Sequence, residues 1–137
     1  MRPLLLSLLL ACTPTPEVQA PVEAQEDRAE LLTDVQHLMG EAAAMHAAGR
    51  LPEAAAAWDR GYGLWQRHLA GPLRTADAAA TLSLEYELGR LRVELRSTRG
   101  RPKAVAARAD RLLEARRAEL VAAAVPPPPA TPAVPTP

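Results

Sequence analysis

The chain has 137 residues with 16 basic and 16 acidic side chains, so its formal charge is zero and no strong overall field draws it to nucleic acid. One cysteine excludes an internal disulfide framework, and the absence of phenylalanine leaves two tryptophans and two tyrosines as the aromatic material. That length suits one small domain, whose limited core makes support from a partner a reasonable expectation.

At the amino terminus, Met1 and Arg2 precede an apolar run from Pro3 to Leu10, interrupted only by Ser7. The run is far shorter than the roughly 20 residues a spanning helix needs, and its charge-then-apolar order is that of a targeting segment. It closes on Leu9-Leu10-Ala11-Cys12, which resembles the lipobox of bacterial lipoproteins. The resemblance implies cleavage after Ala11, acylation of Cys12 and a chain anchored in the membrane through lipid on that residue. Two or more acyl chains hold stably, where one holds only marginally. Thr13 stands where lipoproteins kept in the inner membrane commonly carry aspartate, so the resemblance points to the periplasmic face of the outer membrane. The expected divisions are a signal peptide over 1–11, a proline-rich tether over 12–25, a helical domain over 26–125 and a proline-rich tail over 126–137. Proline at the density of the two ends favours extended, disordered chain.

The middle is rich in Ala, Leu, Arg and Glu and reads as all-α. Gly49-Arg50-Leu51-Pro52, Gly71-Pro72 and Gly100-Arg101-Pro102 each offer a glycine stop followed by a proline start, which predicts helices over 26–48, 52–70, 73–98 and 102–124. Short connections make sequential helices antiparallel neighbours, giving two hairpins. Leu31, Val35, Leu38, Ala42 and Met45 form the expected apolar stripe of the first helix, and Ala54, Trp58, Gly61, Trp65 and Leu69 that of the second. The third helix carries two stripes, Leu84-Leu88-Leu91-Leu95 and Leu82-Tyr86-Gly89-Val93, on nearly opposite sides, and is expected to lie between neighbours. The fourth offers Val105, Ala109, Leu112, Leu113 and Leu120.

Sliding the chain so that Gly49-Arg50 meets Gly100-Arg101 also brings Asp59-Arg60 onto Asp110-Arg111. Ala42, Met45, Ala54, Trp58 and Gly61 follow the small, large, small, aromatic, small order that resembles a tetratricopeptide repeat, with Gln66 in place of the usual closing proline. The resemblance implies tetratricopeptide-like hairpins; a plain small four-helix bundle is the other architecture this pattern allows.

Nothing in the chain reads as an active site or a cofactor site. There is no Gly-rich phosphate loop, His-Glu-x-x-His pair or nucleophile elbow, and a single cysteine cannot attach haem. His37 and Glu41 share a helix face but lack the further ligands a metal centre needs, while His46 projects elsewhere and His68 lies on another helix. Trp58, Tyr62 and Trp65 cluster on the second helix, either as anchors for a partner or as core. Acidic residues dominate from Glu17 to Asp59 and basic ones from Arg90 to Arg117. The expected function is therefore non-catalytic: a lipid-anchored envelope scaffold or adaptor that holds an unidentified envelope protein, with homo-oligomer formation open. A competing reading docks Arg108, Arg111 and Arg117 on anionic lipid or cell-wall polymer, and a minor one makes His37 and Glu41 part of a metal or stress sensor.

Overall fold

In the computed structural model, which describes residues 21–123, the first helix begins as soon as the prolines end. Pro21 sits at φ −53° and ψ 149°, and its carbonyl accepts from the Gln25 N–H at 3.0 Å. Helix α1 spans Val22–Ala47, so Val22 to Gln25, read above as tether, are helical: no breaker follows Pro21, and Arg28 on the next turn is buried. The lipobox, Cys12, the tether up to residue 20, residues 124–125 of the expected helical domain and the tail over 126–137 lie outside the described residues.

Regular structure among the described residues is all helical. After α1 come α2 (Leu51–Leu64), a π-helical turn (Trp65–Leu69), α3 (Ala70–Ala76), α4 (Ala78–Arg96), α5 (Pro102–Ala115) and α6 (Arg117–Ala122). Between α1 and α2, Gly49 takes φ 76°, donating to the His46 carbonyl while Arg50 donates to that of Met45, both at 2.9 Å. This left-handed cap closes off the orphan carbonyls of α1 and demands glycine. At Gly100 the reason is closeness: a Cβ there would lie 2.6 Å from the Glu94 carbonyl oxygen.

Gly71-Pro72 does not break the chain, contrary to expectation. The helix passes through both residues, and α2, the π turn and α3 form one continuous rod. Pro72 lacks an N–H and its ring would press on the carbonyl one turn back. The wider π turn just before it, closed by Ala70 N–H to Trp65 O, gives the rod room to carry the proline. The stop comes at Asp77 instead. Its backbone is extended at φ −150°, and its carboxylate accepts the Ala80 N–H at 2.9 Å, the N-cap of α4.

The predicted last helix is also divided. Arg116 leaves helical geometry at φ −107° and ψ 6° without any glycine or proline nearby. Tertiary contacts supply the cause: its guanidinium reaches Asp77 at 3.5 Å and Glu119 at 2.9 Å, and α6 turns onto α1 and α3. The end of α6 is received by Arg28, which donates to the carbonyls of Leu120 and Ala123. A cation at a helix carboxyl end complements the dipole there. Burial pulls this guanidinium below its ordinary value, so the carbonyls offset part of its lost hydration.

α1 packs on α2, α5 and α6, while α4 packs on α2, α3 and α5. Because α1 serves several neighbours, its buried face is Leu32, Val35, Met39, Ala42 and Ala43, with Leu31, Leu38 and Met45 only half-buried. That face is rotated by roughly 70° from the predicted stripe. The stripe of the second helix, from Ala54 to Leu69, is buried as expected. On α4, Leu84, Leu88, Leu91 and Leu95 enter the core, each buried leucine worth roughly 1.5–3 kcal/mol. The other stripe does not enter it. Leu82, Tyr86 and Val93 are 69%, 66% and 68% exposed, because α2, α3 and α5 all approach α4 from one side.

Candidate functional site

The aromatic cluster expected as a partner anchor is mostly interior. Trp65 is fully buried and Trp58 nearly so, while Tyr62, half-buried, stacks on Trp58 with ring centroids 4.7 Å apart. Arg92 from α4 covers the outer side of this stack, its guanidinium carbon 5.2 Å from the Trp58 ring centroid. In a chain without phenylalanine these rings supply bulk to the core, Trp58 next to Arg92 of α4 and Trp65 on the π turn that packs on α1 and α3. Of the three rings, Tyr62 alone keeps appreciable exposure.

The three arginines expected on an anionic surface differ in their partners. Arg108 turns toward α4 and meets Glu87 at 3.0 Å, a carboxylate that is itself buried and also lies 3.4 Å from Arg90. Arg117 turns toward α1, donating to the Glu114 carboxylate at 2.9 Å and to the Gln36 side-chain oxygen at 2.8 Å. Gln36 in turn donates to Glu114 at 3.2 Å, and this amide first, then Arg117, holds the Glu114 carboxyl below the usual range. Arg111 alone is exposed and without an ion pair among the described residues. Two of the three charges are thus spent on joining helices: α5 to α4, and α5 with α6 to α1.

Metal chemistry finds no cluster either. Among the described residues no three of His, Cys, Asp and Glu converge. Glu41 lies 3.8 Å from Arg60, His37 and His68 are exposed, and His46 Nε2 lies 2.9 Å from the Ser97 carbonyl oxygen, bracing α1 against the turn after α4. No described helix is long and apolar enough to cross a membrane.

The surface that stands out is the outer face of α4. Leu82, Tyr86, Gly89 and Val93 follow one another at intervals of four, three and four residues, so they form one line along the helix. At its middle a shallow open depression is lined by Glu85, Tyr86, Gly89, Arg90, Val93 and Glu94, where Gly89 has no atom within 4 Å of the place a Cβ would take. Charged side chains border the line. Glu85, held by Arg74 at 2.6 Å, lies on one flank with Arg92, and Arg90 lies on the other.

The sequence displayed this line as an apolar stripe, but periodicity cannot tell a stripe that meets another helix of the same chain from one that meets something else. The glycine in its centre and the charges on its flanks were the available signal. No family model, curated protein or solved structure matches the chain.

Proposed function

We propose that this protein is a lipid-anchored component of the cell envelope whose helical domain is a non-catalytic interaction module, a scaffold or adaptor that docks a protein partner on the outer face of α4. The observation that carries the reading is the exposure of Leu82, Tyr86 and Val93 side by side on a helix whose opposite face is sealed in the core. Contiguous large apolar side chains on a folded surface mark interaction sites, since water leaves them uncompensated. Leu9-Leu10-Ala11-Cys12 supplies the anchor by its resemblance to a lipobox, and the proline-rich segment after it spaces the domain from the lipid.

For the architecture, the reading is of two hairpins, α1 with α2 and α4 with α5, that close on each other as a small bundle. In a stack of tetratricopeptide-like units each unit touches only its neighbours and the outermost helices stay apart. Here α1 lies against α5 as well as α2, which favours closure over an open stack. Docking then falls to the outer side of α4, where Leu82, Tyr86 and Val93 are exposed.

The test is cross-linking in intact cells of a tagged chain that keeps Cys12, followed by mass spectrometry of the adducts. Specific protein adducts, to other envelope proteins or to a second copy of the chain, are expected, lost with Tyr86→Ser and Val93→Ser but retained with Arg111→Ser. A set of adducts unchanged by the α4 variants, or only lipid and wall polymer, would overturn the docking assignment. Labelled palmitate incorporated by the wild-type chain and absent from Cys12→Ser checks the anchor separately.

A further inference from the structure

We infer that the α4 face takes a second copy of itself, the two α4 helices running antiparallel with the two-fold axis between Tyr86 and Gly89. This deepens the docking assignment above and rests on it, naming the occupant of that face. Alternating steps of four and three residues are the spacing of a helix seam that meets another helix along its length.

Shape selects the direction. With the axis between positions 86 and 89, Tyr86 of one copy faces Gly89 of the other, and Leu82 faces Val93, each pair occurring twice. The phenol ring drops into the depression that the missing Cβ leaves open. A parallel pairing would set Gly89 against Gly89 and Tyr86 against Tyr86, a gap beside a collision.

Charge agrees with shape. Antiparallel helices related by a two-fold place each flank against the same flank of the other copy, so Glu85 comes opposite Arg92 of the second copy, twice. Glu85 offers Oε2 for this contact, since Arg74 engages Oε1. Arg92 is already steadied over Trp58, which lowers the entropy cost of holding it in place. On the opposite flank Arg90 meets Ser83 rather than another arginine. The helix dipoles also oppose one another in this arrangement.

The seam is short, three large apolar side chains and a glycine per copy, below the roughly 800 Å² per partner of a standard interface. The pairing is accordingly weak and reversible, and concentration at a membrane would favour it.

Cross-linking by designed thiols tests it. Full-length chains carrying Cys12→Ser and either Leu82→Cys or Val93→Cys are oxidised mildly, alone and mixed. A mixed covalent dimer well above what either variant forms alone is expected, because the antiparallel register brings position 82 to position 93. Equal self-cross-linking of each variant would overturn the register. Sedimentation velocity of the full chain provides a second reading: a monomer–dimer equilibrium is expected, with dissociation raised about ten-fold or more by Gly89→Leu, which fills the depression. Gly89→Leu replaces an exposed helical glycine by a better helix former, so an unchanged circular dichroism spectrum is expected alongside. A chain that stays monomeric across about a hundredfold range of concentration and gives no mixed dimer overturns self-pairing. If Tyr86→Ser still removes the cellular adducts in that case, the docking face stands with a different occupant; if it does not, both readings fall.

Discussion

Two leucines on α4 set up a direct comparison, Leu88→Ala against Leu82→Ala. Both residues are the same type in the same helix, so intrinsic propensity cancels between the two substitutions, but Leu88 is fully buried and Leu82 is 69% exposed. Truncating Leu88 removes its transfer free energy and leaves a cavity among Leu84, Leu91 and their partners, a loss of about 2–5 kcal/mol. Only about a third of the Leu82 surface leaves water on folding, which caps its contribution at roughly 0.5–1 kcal/mol, with no cavity to add. Urea denaturation followed by far-ultraviolet circular dichroism reads the difference. At a slope of about 1–2 kcal/mol per molar for so small a domain, Leu88→Ala should lower the midpoint by one molar or more and Leu82→Ala by a fraction of that. The experiment belongs at low protein concentration, where any pairing through α4 is absent. Equal losses at the two positions would mean that the outer line of α4 is packed within the monomer, and the docking surface would disappear with it.

Three other perturbations probe the polar ties. Arg108→Ala leaves the buried Glu87 with only Arg90, and about 1–2 kcal/mol of stability should be lost, less than for a fully buried pair because Arg108 is half in water; a loss near zero in denaturant titration would show that Glu87 is hydrated. Asp77→Ala should cost about 1 kcal/mol through the lost N-cap of α4, while Asp77→Asn keeps most of it. Thermal melts separate the two variants at roughly 4–8 °C per kcal/mol, and equal melting would refute the cap. Glu114 is expected to titrate below the ordinary glutamate value of about 4.3, held down first by the Gln36 amide and then by Arg117. A depressed carboxylate contributes stability that is present above its unfolded value and lost as pH falls through the folded one, so this tie between α5 and α1 weakens only in acid. Gln36→Ala should raise the Glu114 midpoint in an NMR titration, and an unmoved midpoint would refute the assignment.

Much of the architecture was legible in the chain. Gly49 and Gly100 mark the two sharp returns, because one needs a left-handed residue and the other needs space. The stripe from Ala54 to Leu69 and that from Leu84 to Leu95 both reach the core, since each repeats at helical intervals on one face. Gly71-Pro72 misled for a physical reason: proline ends a helix only where the preceding turn cannot widen, and a π turn widened it. The aromatic cluster was visible as a cluster, but whether Trp58 and Trp65 face a partner or the interior depends on where the other helices come to lie.

Helical class, turn positions and two amphipathic faces on α4 follow from the sequence alone, because propensity, glycine and proline geometry, and periodicity act over a few residues. Which face of α4 is buried, where Arg116 bends the last helix, and which of Arg108, Arg111 and Arg117 remains free were decided only by tertiary structure. Those outcomes depend on the number and direction of neighbours around each helix, a property that no local pattern encodes. Three helices approach α4 from one side, and the apolar line on its other side is left for something outside the fold.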